Sequence, residues 1–454
     1  MLWSRISVSP HDSLQKARRK LSRSKSSPLD VTVDFGARME YSSSVMEQIV
    51  YAMDLIRPSL WRTRSFSLCV PNRIQAHAAL LRCKEDAPLL ETLSIRICHA
   101  LQEDHYSTPP WPLFNGHTPR LHSCSFTSFH FDWDPQLLTK LRVLKLDGYF
   151  HAFAPSIHTL IDALRECPML EELSLRNLSD VDSDPCYNVT SEEHVSLPSL
   201  LASGKAVSLP HLKKVTLYYA AVGKQLMACI SCPNLESLEM CYMENVTTVL
   251  YLLYTQALTK LPLRFLRIES CLFNEMKFLN LLRRLSSLET LELVDVDDAS
   301  SSFLKVYLNS VFPHYSLNFL QGLSTSQPWA CPRMEHLVLD GCTAPDWESL
   351  RTFVQSRLPS NSYAAYTARN QENAQRGMTT ASASAAALAQ RNGISSLRHK
   401  PSQAMLQGPK RLQSIDVTRC SQVSKEMIQW LRMYVPDVRC EPAKGIWGEP
   451  TTPL

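Results

Sequence analysis

The chain has 454 residues, a formal net charge of +4 and 44% hydrophobic residues. This near-neutral balance gives no argument for nucleic acid or a membrane surface as a partner, and no apolar run reaches the roughly 18 residues of a membrane helix. The 14 cysteines are spread along the chain without a secretory signal, which indicates free thiols in a reducing compartment, the cytoplasm or the nucleus.

The first 60 residues predict several short elements before the clearest repeats begin. Leu14–Leu21 has the spacing of a short helix, and Leu29–Phe35 alternates in the manner of a strand. Met46–Ile56 carries apolar residues at helical spacing, and Trp61–Leu68 is predicted to be a strand with arginines on one face. We interpret residues 1–60 as an N-terminal adaptor segment.

A phrase of the form Leu-x-x-Leu-x-apolar then recurs along the chain, usually with proline two residues ahead of its first leucine. Its Leu-x-Leu core alternates apolar and polar residues, which is the period of a half-buried strand. Nine copies and one weaker copy (the second below) occur in order, at Leu90, Leu93, Ile95; Leu121, Cys124, Phe126; Leu141, Leu144, Leu146; Leu170, Leu173, Leu175; Leu212, Val215, Leu217; Leu235, Leu238, Met240; Leu263, Leu266, Ile268; Leu288, Leu291, Leu293; Met334, Leu337, Leu339; and Leu412, Ile415, Val417.

Apolar residues at helical spacing often follow the phrase. Two such sets are Val246, Val249, Leu250, Leu253 and Met276, Leu279, Leu282, Leu285. From Leu238 to Leu266 to Leu291 the step is roughly 25 to 28 residues, inside the range of leucine-rich repeats. One strand–loop–helix unit cannot bury its apolar face alone, whereas stacked units bury a continuous core. The sequence therefore predicts an α/β fold, an irregular leucine-rich-repeat solenoid with a parallel strand ladder on its concave face.

Composition divides the rest of the chain. The predicted division is a repeat solenoid at 61–356 with insertions at 180–198 and 300–328, a low-complexity insertion at 357–410, a last repeat with a closing helix at 411–440, and a tail at 441–454. The stretch 357–410 is rich in Ala, Ser, Gln and Asn. Its few large apolar residues cannot offset the entropy of ordering it, so we expect disorder there.

Three local motifs suggest chemistry only weakly. Cys229 and Cys232 have CxxC spacing but lack two further zinc ligands at a matching spacing. Asp180–Asp184 begins like a calcium loop, yet the required later glycine and glutamate are absent, and His130 lies among aromatic residues as a structural histidine would. The chain contains no Walker loop, no Gly-x-Ser-x-Gly and no His-Glu-x-x-His. We expect no catalytic residue, no metal and no cofactor, and thus a non-enzymatic protein.

The residues between and after the buried leucines point away from the predicted core. On the concave face we assign partner binding to Arg96, Lys145, Asp147, Arg176, Tyr218, Glu239, Arg267, Glu269, Glu292 and Asp340. The first half of this face leans basic and the second half acidic. The pattern is compatible with a plain solvated face. It equally predicts a groove for a protein, in which exposed charges set register and encounter rate more than affinity.

The opening residues resemble a known family. Leu2–Val8 reads Leu-Trp-Ser-Arg-Ile-Ser-Val and is similar to the text that follows the F-box helices in fungal F-box proteins. The resemblance continues through Leu21–Ser24, Pro28–Val31, the Trp61–Arg62 strand and the Cys-Pro openings at Cys167, Cys232 and Cys331. Together these features, from Met1 to about Cys440, resemble fungal (basidiomycete-type) F-box/leucine-rich-repeat proteins.

That resemblance implies a role in selecting protein substrates for a Skp–cullin–F-box ubiquitin ligase. The helical F-box core of the family has no counterpart ahead of Leu2 in this sequence. We therefore expect a Skp-type linker as a partner only if an upstream F-box exists. The alternative is an interaction scaffold with no ligase role.

Overall fold

The structure is a computed structural model. It describes residues 3–36, 43–99, 112–129, 138–150, 155–179, 206–220, 222–257, 261–296, 330–342, 347–358, 409–420 and 423–441. The predicted insertions at 180–198 and 300–328, nearly all of 357–410 and the tail beyond Glu441 lie outside these residues, as do Asp180–Asp184 and His130. The chain forms two compact units, Met1–Met243 and Glu244–Leu454, which are described in turn.

The first unit is built on a sheet of parallel strands that neighbour one another in chain order. These strands are β1 (Arg5–Val8), β2 (Leu29–Asp34), β3 (Thr63–Val70), β4 (Thr92–Ile97), β5 (Ser123–Thr127), β6 (Val143–Phe150), β7 (Glu172–Ser179), β9 (Lys214–Ala220) and β11 (Ser237–Cys241). Two short strands, β8 (Val207–Ser208) and β10 (Ile230–Ser231), pair in a separate parallel ribbon.

Five α-helices and two 3₁₀ helices connect the described strands of this unit. They are α1 (Leu14–Arg23), α2 (Ser43–Ile56), the 3₁₀ helix Arg57–Arg62, α3 (Arg73–Leu80), the 3₁₀ helix Leu113–Gly116, α4 (Ile157–Arg165) and α5 (Gly223–Cys229). Asn72 and Ser156 cap α3 and α4, since each side chain accepts a hydrogen bond from a first-turn amide. The helices predicted at Leu14–Leu21 and Met46–Ile56 are confirmed.

The strand predicted at Trp61–Leu68 begins later than the sequence suggested. Residues 57–62 form a 3₁₀ helix and β3 starts at Thr63. Arg62 does not lie on a solvent face but is 5% exposed, and it donates to the Leu21 carbonyl at 3.2 Å. Burial lowers the pKa of Arg62. Its cation meets the last turn of α1, where the helix dipole favours positive charge.

The apolar residues of the repeated phrase align in two columns on one side of the sheet. Strand pairing places Ile6, Val31, Phe66, Leu93, Cys124, Leu144, Leu173, Val215 and Leu238 in one column, and Val8, Val33, Leu68, Ile95, Phe126, Leu146, Leu175, Leu217 and Met240 in the other. None of these residues is more than 1% exposed. Because β1 and β2 belong to both columns, residues 1–60 contribute to the same sheet as the repeats.

The second unit repeats this arrangement on a smaller scale. Its strands are β12 (Phe265–Glu269), β13 (Thr290–Val294), β14 (His336–Asp340), β15 (Ser414–Asp416) and β16 (Asp437–Arg439), and its helices are α6 (Thr247–Ala257), α7 (Glu275–Leu282), α8 (Trp347–Ser356) and α9 (Lys425–Tyr434). The strands are parallel and adjacent in chain order, and Leu266, Leu291, Leu337 and Ile415 share a buried column.

The helix predictions in this unit are confirmed with one correction. The predicted apolar face of α6 is buried, and α9 is the expected closing helix, with Leu431 fully buried. Met276, assigned to the buried face of α7, is instead 43% exposed, while Phe278 is buried. Met276 precedes Phe278 by two residues, about 160° away around the helix, so burial of Phe278 leaves Met276 facing outward.

These units confirm an α/β architecture of parallel strands that follow one another in chain order. Helices lie between successive strands in several places, as α6 and α7 do on either side of β12. In the part of the chain that the structure describes, no helix is both long and apolar enough to cross a membrane.

Candidate functional site

The side of the first unit's sheet opposite the buried columns carries polar residues, and we call it the polar strand face. Its middle column, read from β1 to β11, is Ser7, Thr32, Ser67, Ser94, Ser125, Lys145, Ser174, Thr216 and Glu239. A second column nearer the strand ends, read from β2, is Asp34, Cys69, Arg96, Thr127, Asp147, Arg176, Tyr218 and Cys241.

The predicted site residues of this unit lie on the polar strand face. Arg96, Lys145 and Arg176 are exposed, as expected, whereas Asp147, Tyr218 and Glu239 are half-buried. The small residues Ser174 and Thr216 are buried although they face the same way. The longer side chains beside them in the register therefore cover this part of the sheet.

Most of the predicted charges are paired with neighbours. Lys145 Nζ lies 3.0 Å from Glu172, and Lys214 Nζ lies 3.0 Å from Glu239. Asp147 accepts a hydrogen bond of 2.8 Å from the side-chain amide of Asn177. These contacts join adjacent strands, so the field of the face is weaker than its list of charges suggests. Pairs this exposed contribute about 0–1 kcal/mol each to stability.

Three tyrosines near the ends of β9 and β11 contact one another, and we call them the tyrosine cluster. The ring centroids of Tyr218 and Tyr219 are 5.3 Å apart, and those of Tyr218 and Tyr242 are 5.1 Å apart. Tyr219 and Tyr242 stack nearly parallel at 4.9 Å. The Arg176 guanidinium lies 5.7 Å from the centroid of the Tyr218 ring. Tyr219 is 51% exposed, so the cluster presents aromatic surface to solvent.

Two members of the cluster have an unusual backbone. Tyr219 has φ of 47° and Tyr242 has φ of 54°, in the left-handed region where bulky residues are rare. The second residue after the last apolar member of other phrases also has positive φ, namely Ser128, Gly148, Asn177, Ser270, Asp295, Gly341 and Arg419. The repeat thus requires a left-handed residue here. Glycine and asparagine adopt it readily, whereas a tyrosine costs on the order of 1 kcal/mol.

Of the three tyrosines, only Tyr218 is among the binding residues predicted from the sequence, and Tyr219 and Tyr242 are not. The signal that finds them is positional, since each is the second residue after the last apolar member of a phrase, Leu217 or Met240. The hydrophobic pattern says nothing about φ at that place. The cluster then emerges because the parallel pairing of β9 and β11 sets Tyr218 beside Cys241.

In the second unit, the remaining predicted residues form two ion-pair clusters. Arg267 contacts Glu269 and Glu292 at 2.6 Å each, and burial, which would lower the pKa of Arg267, is outweighed by these carboxylates, which raise it. Asp340 pairs with Arg419 at 2.7 Å, and hydrogen bonds to Asp340 raise the pKa of this arginine. Arg267 and Arg419 therefore neutralise part of the predicted acidic half of the face.

The CxxC pair lies at a helix end. Cys229 is the last residue of α5, and Cys232 follows the ribbon strand β10 as a buried residue. Burial raises the pKa of Cys232 to about 11, so its thiol is protonated at neutral pH. Within the described ranges, no three His, Cys, Asp or Glu side chains are grouped so that they could hold a metal ion.

Comparison of the sequence with known proteins does not assign it to a family. No protein-family profile matches the sequence, and a search of curated proteins found no match. The geometry of the polar strand face and the sequence resemblance are therefore what bear on function.

Proposed function

We propose that this protein is a leucine-rich-repeat protein that recognises another protein through its polar strand face. Two features support the repeat assignment: buried columns in register from strand to strand, and a left-handed residue two places after the last apolar member of successive phrases. A single repeat unit cannot bury its apolar face alone, and the stacking of successive units produces such columns. The opposite side of the sheet is then left for binding.

The tyrosine cluster is the observation that carries the binding proposal. Tyrosine is enriched at protein interfaces because it offers a large, rigid, amphipathic surface with little side-chain entropy to lose. Here three rings support one another, and Tyr219 remains half exposed. The equivalent left-handed place elsewhere is held by residues as different as Ser128, Asp295 and Arg419, so the backbone does not demand tyrosine there.

The surroundings of the cluster favour a polypeptide over a small ligand. Arg176 lies beside it on β7 and is exposed, so it can pair with a carboxylate or a main-chain carbonyl. The middle column beyond it presents hydroxyls as far as Ser7, which can both donate and accept. An aromatic anchor next to an extended polar surface is the composition of a protein interface with a hot spot and a polar rim.

The test compares two tyrosines of nearly equal exposure. A partner is first captured from the protein's own cells with the wild-type chain and identified, and its affinity is then measured for Tyr219→Asn and for Tyr251→Asn. Tyr251 on α6 is 52% exposed and also contacts a second tyrosine, Tyr254, at 6.4 Å. We expect Tyr219→Asn to weaken binding at least tenfold and Tyr251→Asn to leave it within about twofold, because only the former lies on the proposed face. Equal losses would remove the proposal.

A narrower proposal is that the bound protein is a substrate of a Skp–cullin–F-box ubiquitin ligase. It is supported by the resemblance of Leu2–Val8 and of the repeats to fungal F-box/leucine-rich-repeat proteins. The protein purified from its own cells should then carry a Skp-type linker, and loss of the partner in Tyr219→Asn should leave that linker bound. Partner without linker would instead make this protein a scaffold.

A further inference from the structure

Two cysteines meet on the polar strand face, far in sequence from the tyrosine cluster. Cys69 lies near the end of β3, and Cys98 directly follows β4. Their Sγ atoms are 3.5 Å apart. Cys98 is exposed and Cys69 is half-buried, so Cys98 is the more accessible residue of the two.

A glycine on the neighbouring strand leaves room for this pair. Gly36 follows β2, and a Cβ at that position would lie 2.6 Å from the Cys98 sulfur and closer still to the Cys69 sulfur. Its φ is not in the left-handed region, so the backbone alone does not require glycine there. A side chain at Gly36 would therefore force one or both of these sulfurs to move.

The other cysteines have different surroundings. Five donate their thiols to main-chain carbonyls, namely Cys167, Cys271, Cys331, Cys342 and Cys420. Among the 13 described cysteines, Cys98 alone is exposed. Most of the cysteines can be explained as small apolar side chains that fill the core. That explanation does not cover Cys98, which is exposed and lies against a second cysteine.

We propose that Cys69 and Cys98 form a reactive dithiol that undergoes thiol–disulfide exchange with low-molecular-weight disulfides such as oxidised glutathione. The Cys98 thiolate attacks one glutathione sulfur, forms a mixed disulfide and releases one glutathione thiolate. Cys69 then attacks the Cys98 sulfur, a protein disulfide forms and the second glutathione thiolate leaves. The two protons of the cysteines pass to solvent and the glutathione disulfide is reduced, so atoms and electrons balance.

The geometry assigns the two cysteines separate roles. Cys98 is the thiol that a dissolved disulfide can reach. Burial, with further contributions from Cys98 and Asp34, raises the pKa of Cys69 to about 12, so this thiol is a poor first nucleophile. Its proximity favours the second, intramolecular step. To close the bond the sulfurs must approach by about 1.5 Å, since a disulfide is about 2.05 Å long.

The experiment exposes the reduced full chain to oxidised glutathione, quenches with acid, alkylates, and maps the products by mass spectrometry. The wild type should lose two thiols as a Cys69–Cys98 disulfide and retain no glutathione. Cys69→Ser should retain glutathione on Cys98, because the second step cannot occur. Cys229→Ser/Cys232→Ser is the matched control pair and should behave as the wild type. Glutathione retained on Cys98 in the wild type, or no reaction there, would overturn the proposal.

A second variant tests the close approach of the two sulfurs without replacing either cysteine. Gly36→Ala introduces a methyl group where the sulfurs meet, so closure of the disulfide should slow at least tenfold while Cys98 still takes up glutathione. A cooperative unfolding transition like that of the wild type checks that the variant is folded. Closure at the wild-type rate would contradict a pre-formed pair.

Discussion

The two ends of the polar strand face differ, although the sheet beneath them is the same. Over β1–β5 the middle column is a stripe of hydroxyls, Ser7, Thr32, Ser67, Ser94 and Ser125. Over β6, β7, β9 and β11 the middle column includes the paired charges Lys145 and Glu239, and the tyrosine cluster lies beside it. An ion pair occurs in the first half too, between Arg64 and Asp30, so the contrast lies in the middle column and the rings. The buried columns show no such change, since every member is at most 1% exposed in both halves. Folding constrains the inward side, and the outward side is free to differ.

The largest effect is expected from shortening the buried leucines on the inward side of the sheet, which both halves share. Leu173→Ala on β7 and Leu93→Ala on β4 each remove a fully buried leucine. Each should lower the free energy of unfolding by about 2–5 kcal/mol, measured by chemical denaturation. The outward change Ser94→Ala is the control and should fall within about 0.5 kcal/mol of the parent. A leucine variant as stable as the parent would show that its column is not part of the core.

We expect the exposed cations of the polar strand face to govern how fast the partner associates. Reversing Arg96, Lys145 and Arg176 together to glutamate should slow association of the identified partner about tenfold at low salt, because exposed charges govern encounter. All three side chains are exposed, so the chain should stay folded. Reversing Arg283 and Arg284, exposed residues that follow α7, provides the control. If both sets slow association equally, the polar strand face has no special role in encounter.

The third prediction separates function from stability within the tyrosine cluster. The double variant Tyr219→Asn/Tyr242→Asn loses ring contacts of about 0.5–1.5 kcal/mol but relieves two left-handed tyrosines, each strained by on the order of 1 kcal/mol. The two effects oppose each other, so the free energy of unfolding should change by no more than about 1 kcal/mol. A loss above about 2 kcal/mol, measured by denaturation, would make the cluster structural.

The smallest effect is expected at the ion pairs. Replacing Lys214 with methionine breaks its contact with Glu239 while keeping an apolar stem of similar length. Both side chains are partly exposed, so the change in stability should lie within about 0–1 kcal/mol and shrink further in high salt. A salt-independent loss above that range would indicate that the pair is shielded from solvent.

Much of the fold could be predicted because a single pattern recurs. The Leu-x-x-Leu-x-apolar phrase located the strands from β4 to β15 apart from the short β8 and β10, and its recurrence anticipated parallel neighbours. The errors came where local packing overrides the pattern. Trp61 lies in a 3₁₀ helix rather than in β3, and Met276 faces outward because α7 buries the side that carries Phe278.

The candidate site was less predictable, because it depends on which strands meet and on backbone angles. Lys145 and Glu172 are far apart in sequence and pair only because β6 and β7 are adjacent. The same holds for Cys69 and Cys98 on neighbouring strand ends. Positive φ at Tyr219 leaves no mark on the hydrophobic pattern, since tyrosine gives no hint of a left-handed position.

Whether the tyrosine cluster touches the bound protein is tested most directly by cross-linking in the protein's own cells. A photoreactive amino acid is placed at Tyr219, at Ser67 in the hydroxyl stripe, or at Tyr251 on α6, and the cross-linked species are identified by mass spectrometry. We expect the strongest cross-link to one discrete partner from Tyr219, a weaker one from Ser67, and none from Tyr251. A cross-link to the same partner from Tyr251 that equals or exceeds the one from Tyr219 would contradict that expectation.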